Sequence, residues 1–153
     1  MARAAVAAVI PDLKFRRLDT SGGLSNSTVS CIYRDSRGYV WMGTGYGLNR
    51  YDGYRVRTYF SYDKDTTSLR NNGVDEIQEA HGGRLWLIQG MNYTMYDPVT
   101  EKVDRKLSRW LNSMGIKGTV ERLYLDSKKR YWVKTYEDGF YYYVGRVDDV
   151  IKS

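Results

Sequence analysis

The sequence predicts an all-β protein. It reads as three consecutive four-stranded antiparallel blades of the β-propeller type, a partial propeller, preceded by an N-terminal orphan strand. Two observations carry this. Tryptophan recurs at Trp41, Trp86 and Trp132, 45 and 46 residues apart, and its neighbours repeat with it. Each period also divides into short β-rich runs separated by Gly, Asp and Pro turn signals, which is the pattern of stacked sheet repeats with a period of roughly 45 residues.

The register between copies is tight. Val29, Val74 and Val120 hold the same offset from the tryptophan, as do Ile32, Ile77 and Leu123, and no gap is needed between valine and tryptophan in any copy. Leu24 matches Leu69, Phe15 matches Phe60, and Tyr51-Asp52 matches Tyr96-Asp97. In the first copy, residues 28–34, 39–44, 48–51 and 54–59 read as strands, with turns at Asp35–Gly38, Gly45–Gly47 and Asp52-Gly53. An irregular β-sandwich is the other all-β arrangement, but it gives no reason for a shared gapless register. The expected division is residues 1–12 as a leader or disordered segment and 13–27 as the orphan strand (15–18) and lead-in. Blade 1 is then 28–69, blade 2 is 70–116 and blade 3 is 117–153. Residues 105–114 read either as a helix or as the fourth strand of blade 2 followed by a loop. About twelve or thirteen strands are expected.

Composition fits this reading. Of 153 residues, 42% are hydrophobic and 27% charged, and 15 Tyr stand beside 4 Trp and only 3 Phe, a balance suited to half-buried strands and polar faces. The net charge is +6, but the basic residues are scattered rather than gathered in blocks, so nucleic acid is not an expected partner. No run approaches the roughly 18 apolar residues of a membrane helix, and no membrane contact is expected from this segment. Met1 to Ile10 is short and apolar and could be a signal-peptide remnant.

No catalytic, cofactor or metal site is expected. Cys31 is the only cysteine and reads as a small hydrophobe. His81 is the only histidine and aligns with Ser36 and Ser127 in a turn, which reads as solvated. One of each leaves too few ligands for a zinc shell, and Asp63 and Asp65 lack the spacing of a calcium loop. The chain is therefore expected not to be an enzyme.

The run from Gly23 to Gly53 resembles the two-component regulator propeller repeat, through Asp35, Gly38, Val40-Trp41, Gly43-Thr44, Gly47-Leu48 and Tyr51-Asp52. Copy two keeps Trp86 and Tyr96-Asp97 but has Ile88-Gln89 in place of Gly-Thr. Copy three keeps Asp126, Trp132 and Thr135 but loses the Tyr-Asp pair. The resemblance covers residues 15–147. It implies the N-terminal part of a periplasmic sensor region of a hybrid two-component system of the Bacteroides type, reading an oligosaccharide or another small ligand. A freestanding lectin-like or protein-interaction module, assembled by oligomerisation, is the alternative.

Repetition also separates core from site. A residue demanded at one place in every blade fills the space between blades, so Trp41, Trp86, Trp132, Val29, Val74 and Val120 are assigned to the structural core. Ligand residues should differ between copies. In an antiparallel meander the turn after the second strand and the connection into the next blade share one end, and both vary. Tyr46, Arg70, Asn71, Asn72, Met91, Asn92, Tyr136 and Glu137 are the expected ligand residues. Three blades cannot close a ring, so pairing with further blades, or self-association through open blade edges, is expected as well.

Overall fold

The computed structural model describes residues 14–143 except 114, 129 and 138, and the side chains of these except at 108, 113 and 139–143. Blade 1 is a four-stranded antiparallel sheet in sequential order: β1 (Val29–Arg34), β2 (Val40–Thr44), β3 (Gly47–Tyr51) and β4 (Val56–Tyr59). Blade 2 repeats it with β5 (Glu76–Glu79), β6 (Leu85–Gln89), β7 (Asn92–Asp97) and β8 (Lys102–Asp104). Blade 3 contributes β9 (Val120–Leu125), β10 (Tyr131–Thr135) and β11 (Gly139–Tyr143). Eleven strands thus lie among the described residues. Of the two readings of residues 105–114 the helix is the one found: the fourth strand, β8, ends before this segment, and a short helix, α1 (Leu107–Ser113), lies within it.

The core lies between sheets and not within any one of them. One cluster joins blades 1 and 2 through Trp41, Leu48, Leu69, Val74, Ile77, Leu87 and Tyr96. A second joins blades 2 and 3 through Trp86, Tyr93, Leu111, Ile116, Leu123, Tyr131 and Val133. A four-stranded sheet this small cannot bury its own faces, so stability comes from neighbour contacts. Trp41 reaches forward to Tyr96 of blade 2 in an edge contact, with ring centroids 5.5 Å apart. Trp86 meets Trp110 of α1 at 5.1 Å, and Trp110 meets Tyr131 of blade 3 at 5.0 Å. Helix α1 is thus a wedge between blades 2 and 3.

Three of the assigned core residues depart from full burial. Trp41, Trp86 and Val74 are fully buried, but Val29, Val120 and Trp132 are half-buried. The departure of Trp132 follows from its place. The tryptophan position faces the following blade, and among the described residues no sheet follows blade 3. The position of Ile32, Ile77 and Leu123 faces the preceding blade: Ile77 and Leu123 are buried, whereas Ile32 is 69% exposed on the open face of blade 1. For Val120, half-buried against the second cluster, the structure gives no separate reason.

The orphan strand is not formed. Residues 14–18 are irregular and Phe15 is 91% exposed. A strand needs a partner edge to satisfy its backbone, and no described strand lies beside this segment. His81 also departs from its reading as a solvated turn residue. It is half-buried, its ring packs edge-on against Tyr131 at 5.4 Å, and its backbone N–H donates to the Tyr131 hydroxyl at 3.4 Å. The equivalent turn of blade 1 does similar work, since Ser36 donates from N and Oγ to buried Glu79 of blade 2 at 3.0 and 2.5 Å. In blades 1 and 2 this turn position touches the next blade.

Candidate ligand-binding rim

The last residue of the second strand in each blade is polar and buried: Thr44, Gln89 and Thr135. A buried polar side chain must find partners, and here the partners are the segments that lead into the blades. Thr44 Oγ1 meets Ser25 Oγ at 3.0 Å and also receives the Tyr46 N–H at 3.0 Å. Its carbonyl accepts from Val74 N at 2.9 Å, where blade 2 begins. Gln89 Nε2 donates to the carbonyls of Asn71 at 2.5 Å and Gly73 at 3.2 Å, and Thr94 Oγ1 donates to Gln89 Oε1 at 3.2 Å. In blade 3 the same place is served by main chain, with Tyr136 N donating to Thr119 O at 3.1 Å. These bonds bind the turn after the second strand to the incoming connection, so both lie at one end of every blade and form a common rim.

Gly43 explains how closely the segments approach. A Cβ there would lie 2.6 Å from Cys31 Sγ and inside contact distance of the Val74 carbonyl. Only glycine lets the start of blade 2 cross over β2. The same burial pushes the Cys31 thiol up from its ordinary pKa, away from nucleophilic thiolate character.

The expected ligand residues divide into two groups on this rim. Tyr46, Met91 and Tyr136 stand on three successive turns and are 57%, 75% and 58% exposed. Arg70 and Asn71 are also exposed, on the connection between blades 1 and 2. The others hold the scaffold. Asn72 Oδ1 accepts from Ser61 N at 2.7 Å, and Asn72 O accepts from Gly47 N at 2.6 Å. Asn92 Nδ2 donates to Gln89 O at 3.4 Å. Glu137 Oε2 accepts from Thr119 N at 2.8 Å, and that bond holds its carboxyl below the usual carboxylate range.

Met91 and Tyr136 line a single groove of about 310 Å³ between blades 2 and 3, together with Tyr93, Glu121 and Arg122. Tyr46 lies apart from it and packs on Phe60 with ring centroids 5.8 Å apart. Sequence reasoning missed Tyr93, Glu121, Arg122 and Phe60 as rim residues. The available signal was position, since Glu121 and Arg122 directly precede Leu123 of the repeat. Glu121 is fixed by Lys134 Nζ at 2.8 Å, whereas Arg122 is exposed and meets Glu76 only at 4.0 Å. The groove therefore offers an aromatic ring, a thioether, a carboxylate and a reachable guanidinium.

Comparison with known proteins places this geometry. Residues 23–46 match the profile of the family described as Two component regulator propeller. Histidine kinase P4 of Formosa agariphila is 38% identical over 55 residues, which is 36% of this chain and 4% of that protein. An extracellular domain from B. thetaiotaomicron, named for a hybrid two component system, superposes with a TM-score of 0.53 at 20% identity, over 82% of this chain and 17% of its own length. A second structure of that same domain, named there for a one component system, gives 0.55 at 20% identity, over 88% and 18%. The chain thus spans a small part of each relative it matches, and the two solved structures share its fold. Residues 23–46 of the first blade match the two component regulator propeller repeat, and the chain resembles proteins that carry it.

Proposed function

We propose that this chain is a section of the ligand-sensing propeller of a two-component receptor, and that its rim reads an oligosaccharide outside the cytoplasm without turning it over. One observation carries the reading: three successive blades each present one large apolar side chain, Tyr46, Met91 and Tyr136, more than half exposed at the same end. Isolated exposed apolar residues are ordinary. The same turn position in three consecutive blades is a surface. Sugar faces stack on such side chains while their hydroxyls need polar partners nearby, which Arg122, Glu121 and Arg70 supply. The repeated tryptophans stay out of this role because they are spent on blade packing.

The solved relatives are extracellular domains, which supports a location outside the cytoplasm. Among the described residues no helix is long and apolar enough to cross a membrane, so signalling would need parts of the receptor beyond this section. The test is an oligosaccharide array followed by calorimetric titration of any hit. Binding that weakens about tenfold or more in Tyr136→Ala, a loss of about 1.4 kcal/mol, supports the rim. Binding that is unaffected by Tyr46→Ala, Met91→Ala and Tyr136→Ala together removes it.

A further inference from the structure

A second concave surface lies at the outer edge of blade 2, away from the rim. It is a cavity of about 570 Å³ bounded by the β7–β8 turn, β8, the start of α1 and the connection that descends from blade 1. Its charge is one-sided. Arg84, Lys102, Arg105, Lys106 and Arg109 line it, against Asp97 and Asp104.

Both carboxylates are already engaged by backbone. Asp97 Oδ1 accepts from Val99 N at 2.8 Å and Thr100 N at 3.4 Å, and Asp104 Oδ1 accepts from Lys106 N at 2.8 Å. Among the described residues, Lys102, Lys106 and Arg109 pair with no carboxylate. Arg105 has a different task. Its Nη2 donates to the carbonyls of Asp65, Ser68 and Leu69 at 3.1, 3.0 and 2.8 Å, which fixes the wall formed by the connection. The cavity therefore has a rigid side, a mouth with three uncompensated cations, and the hydroxyl-bearing residues Thr66 and Thr100 on its lining.

We propose that this cavity binds a small anionic ligand of about sugar size, bearing sulfate, carboxylate or phosphate groups. The volume falls in the range of small-molecule sites. Cations grouped in a concave wall reinforce one another's field on an entering anion, and a guanidinium offers paired donors to an oxyanion. Lys102 and Lys106 add point charges, so no single oxyanion geometry is demanded. The site stands independently of the rim, because the two share no lining residue.

Amide chemical-shift mapping of the full 153-residue chain tests this, with sodium sulfate, sodium phosphate and sodium glucuronate titrated at ionic strength held constant with sodium chloride. The expected result is a saturable shift, for at least one of the three, centred on Thr100, Lys102, Lys106 and Arg109. The order of the midpoints identifies the favoured oxyanion. Lys106→Gln with Arg109→Gln should raise the midpoint about tenfold or more, and Lys102→Gln alone should raise it by less. Tyr136→Ala should leave it unchanged. Shifts that never saturate, that scatter over the whole surface, or that persist in the glutamine variants would overturn the site, whatever the rim binds.

Discussion

Asp35 accepts a hydrogen bond from the indole N–H of Trp41 at 2.9 Å, and ninety-one residues on Asp126 does the same for Trp132, also at 2.9 Å. In both blades the carboxylate also takes the N–H groups of the turn that follows it: Arg37 and Tyr39 on Asp35, Lys128 and Arg130 on Asp126. One side chain thus closes the first turn and orients the tryptophan. Blade 2 lacks the device. Ala80 stands at the equivalent position, buried in the cluster with Trp86 and Leu111, and Trp86 Nε1 is buried with no hydrogen-bond partner among the described residues.

This difference predicts unequal costs for one conservative change. Trp41→Phe removes a made bond and deprives buried Asp35 of a donor, whereas Trp86→Phe removes a donor that had none to make. Losing a buried partner costs about 1–3 kcal/mol. Urea denaturation should therefore show Trp41→Phe less stable than Trp86→Phe by about that amount, although both lose the same volume.

Burial sets a second pair. Trp86→Ala should cost roughly 3–5 kcal/mol, as truncation of a filled core position does. Trp132→Ala should cost clearly less in this chain, because Trp132 is half-buried. Equal losses in denaturation midpoint would mean that the tryptophan position does not act through the following blade.

Gly43 and Gly53 separate crowding from backbone preference. Alanine at Gly43 must push against the Val74 main chain and should cost about 1–3 kcal/mol or more, the range for overpacking. Gly53 has open space around its missing Cβ but φ +100, so alanine there should cost only about 1–2 kcal/mol of left-handed strain. Thermal melting of the two variants checks the order.

Acid should act on blade 3 through Asp126. The bond from Trp132, then those from the Arg130 backbone and side chain, hold its carboxyl below the ordinary value of 3.8. A carboxyl lowered in the folded state contributes stability that is present above its unfolded pKa and lost as pH falls towards the folded one. Stability should thus decline below the ordinary carboxylate range. Asp126→Asn should be less stable at neutral pH and lose less on acidification, read as the change in melting temperature from about pH 6 to about pH 3.

The blade repeat was legible because it is written in spacing: one tryptophan, one valine and one turn per period. The orphan strand was misread from the Phe15 and Phe60 match, since alignment reports a shared residue but not a shared neighbour. Phe60 follows β4 and packs on Tyr46, while Phe15 has no sheet edge beside it. His81 and Ser36 aligned correctly, yet their role as contacts with the next blade depends on what the next blade places opposite. The rim was located from the alternation of turns, but its division was not legible. Asn72 and Glu137, expected as ligand residues, also fasten the loops by hydrogen bonds, while Arg122, which lines the groove, lies in β9. The α1 wedge, with Trp110 between two blades, breaks the period and so left no repeat signal.

Variable rim residues are proposed to read the ligand, while the repeated tryptophans pack the blades together. The most direct test is calorimetric titration of an array-identified oligosaccharide into wild type, Tyr136→Ala and Trp41→Phe, with the melting temperature of each recorded alongside. Tyr136→Ala should melt like wild type and bind about tenfold more weakly or worse, and Trp41→Phe should melt lower yet bind with wild-type affinity well below its melting temperature. Full affinity in Tyr136→Ala, with binding lost in a Trp41→Phe protein that is still folded, would contradict this assignment and move the site to the tryptophans.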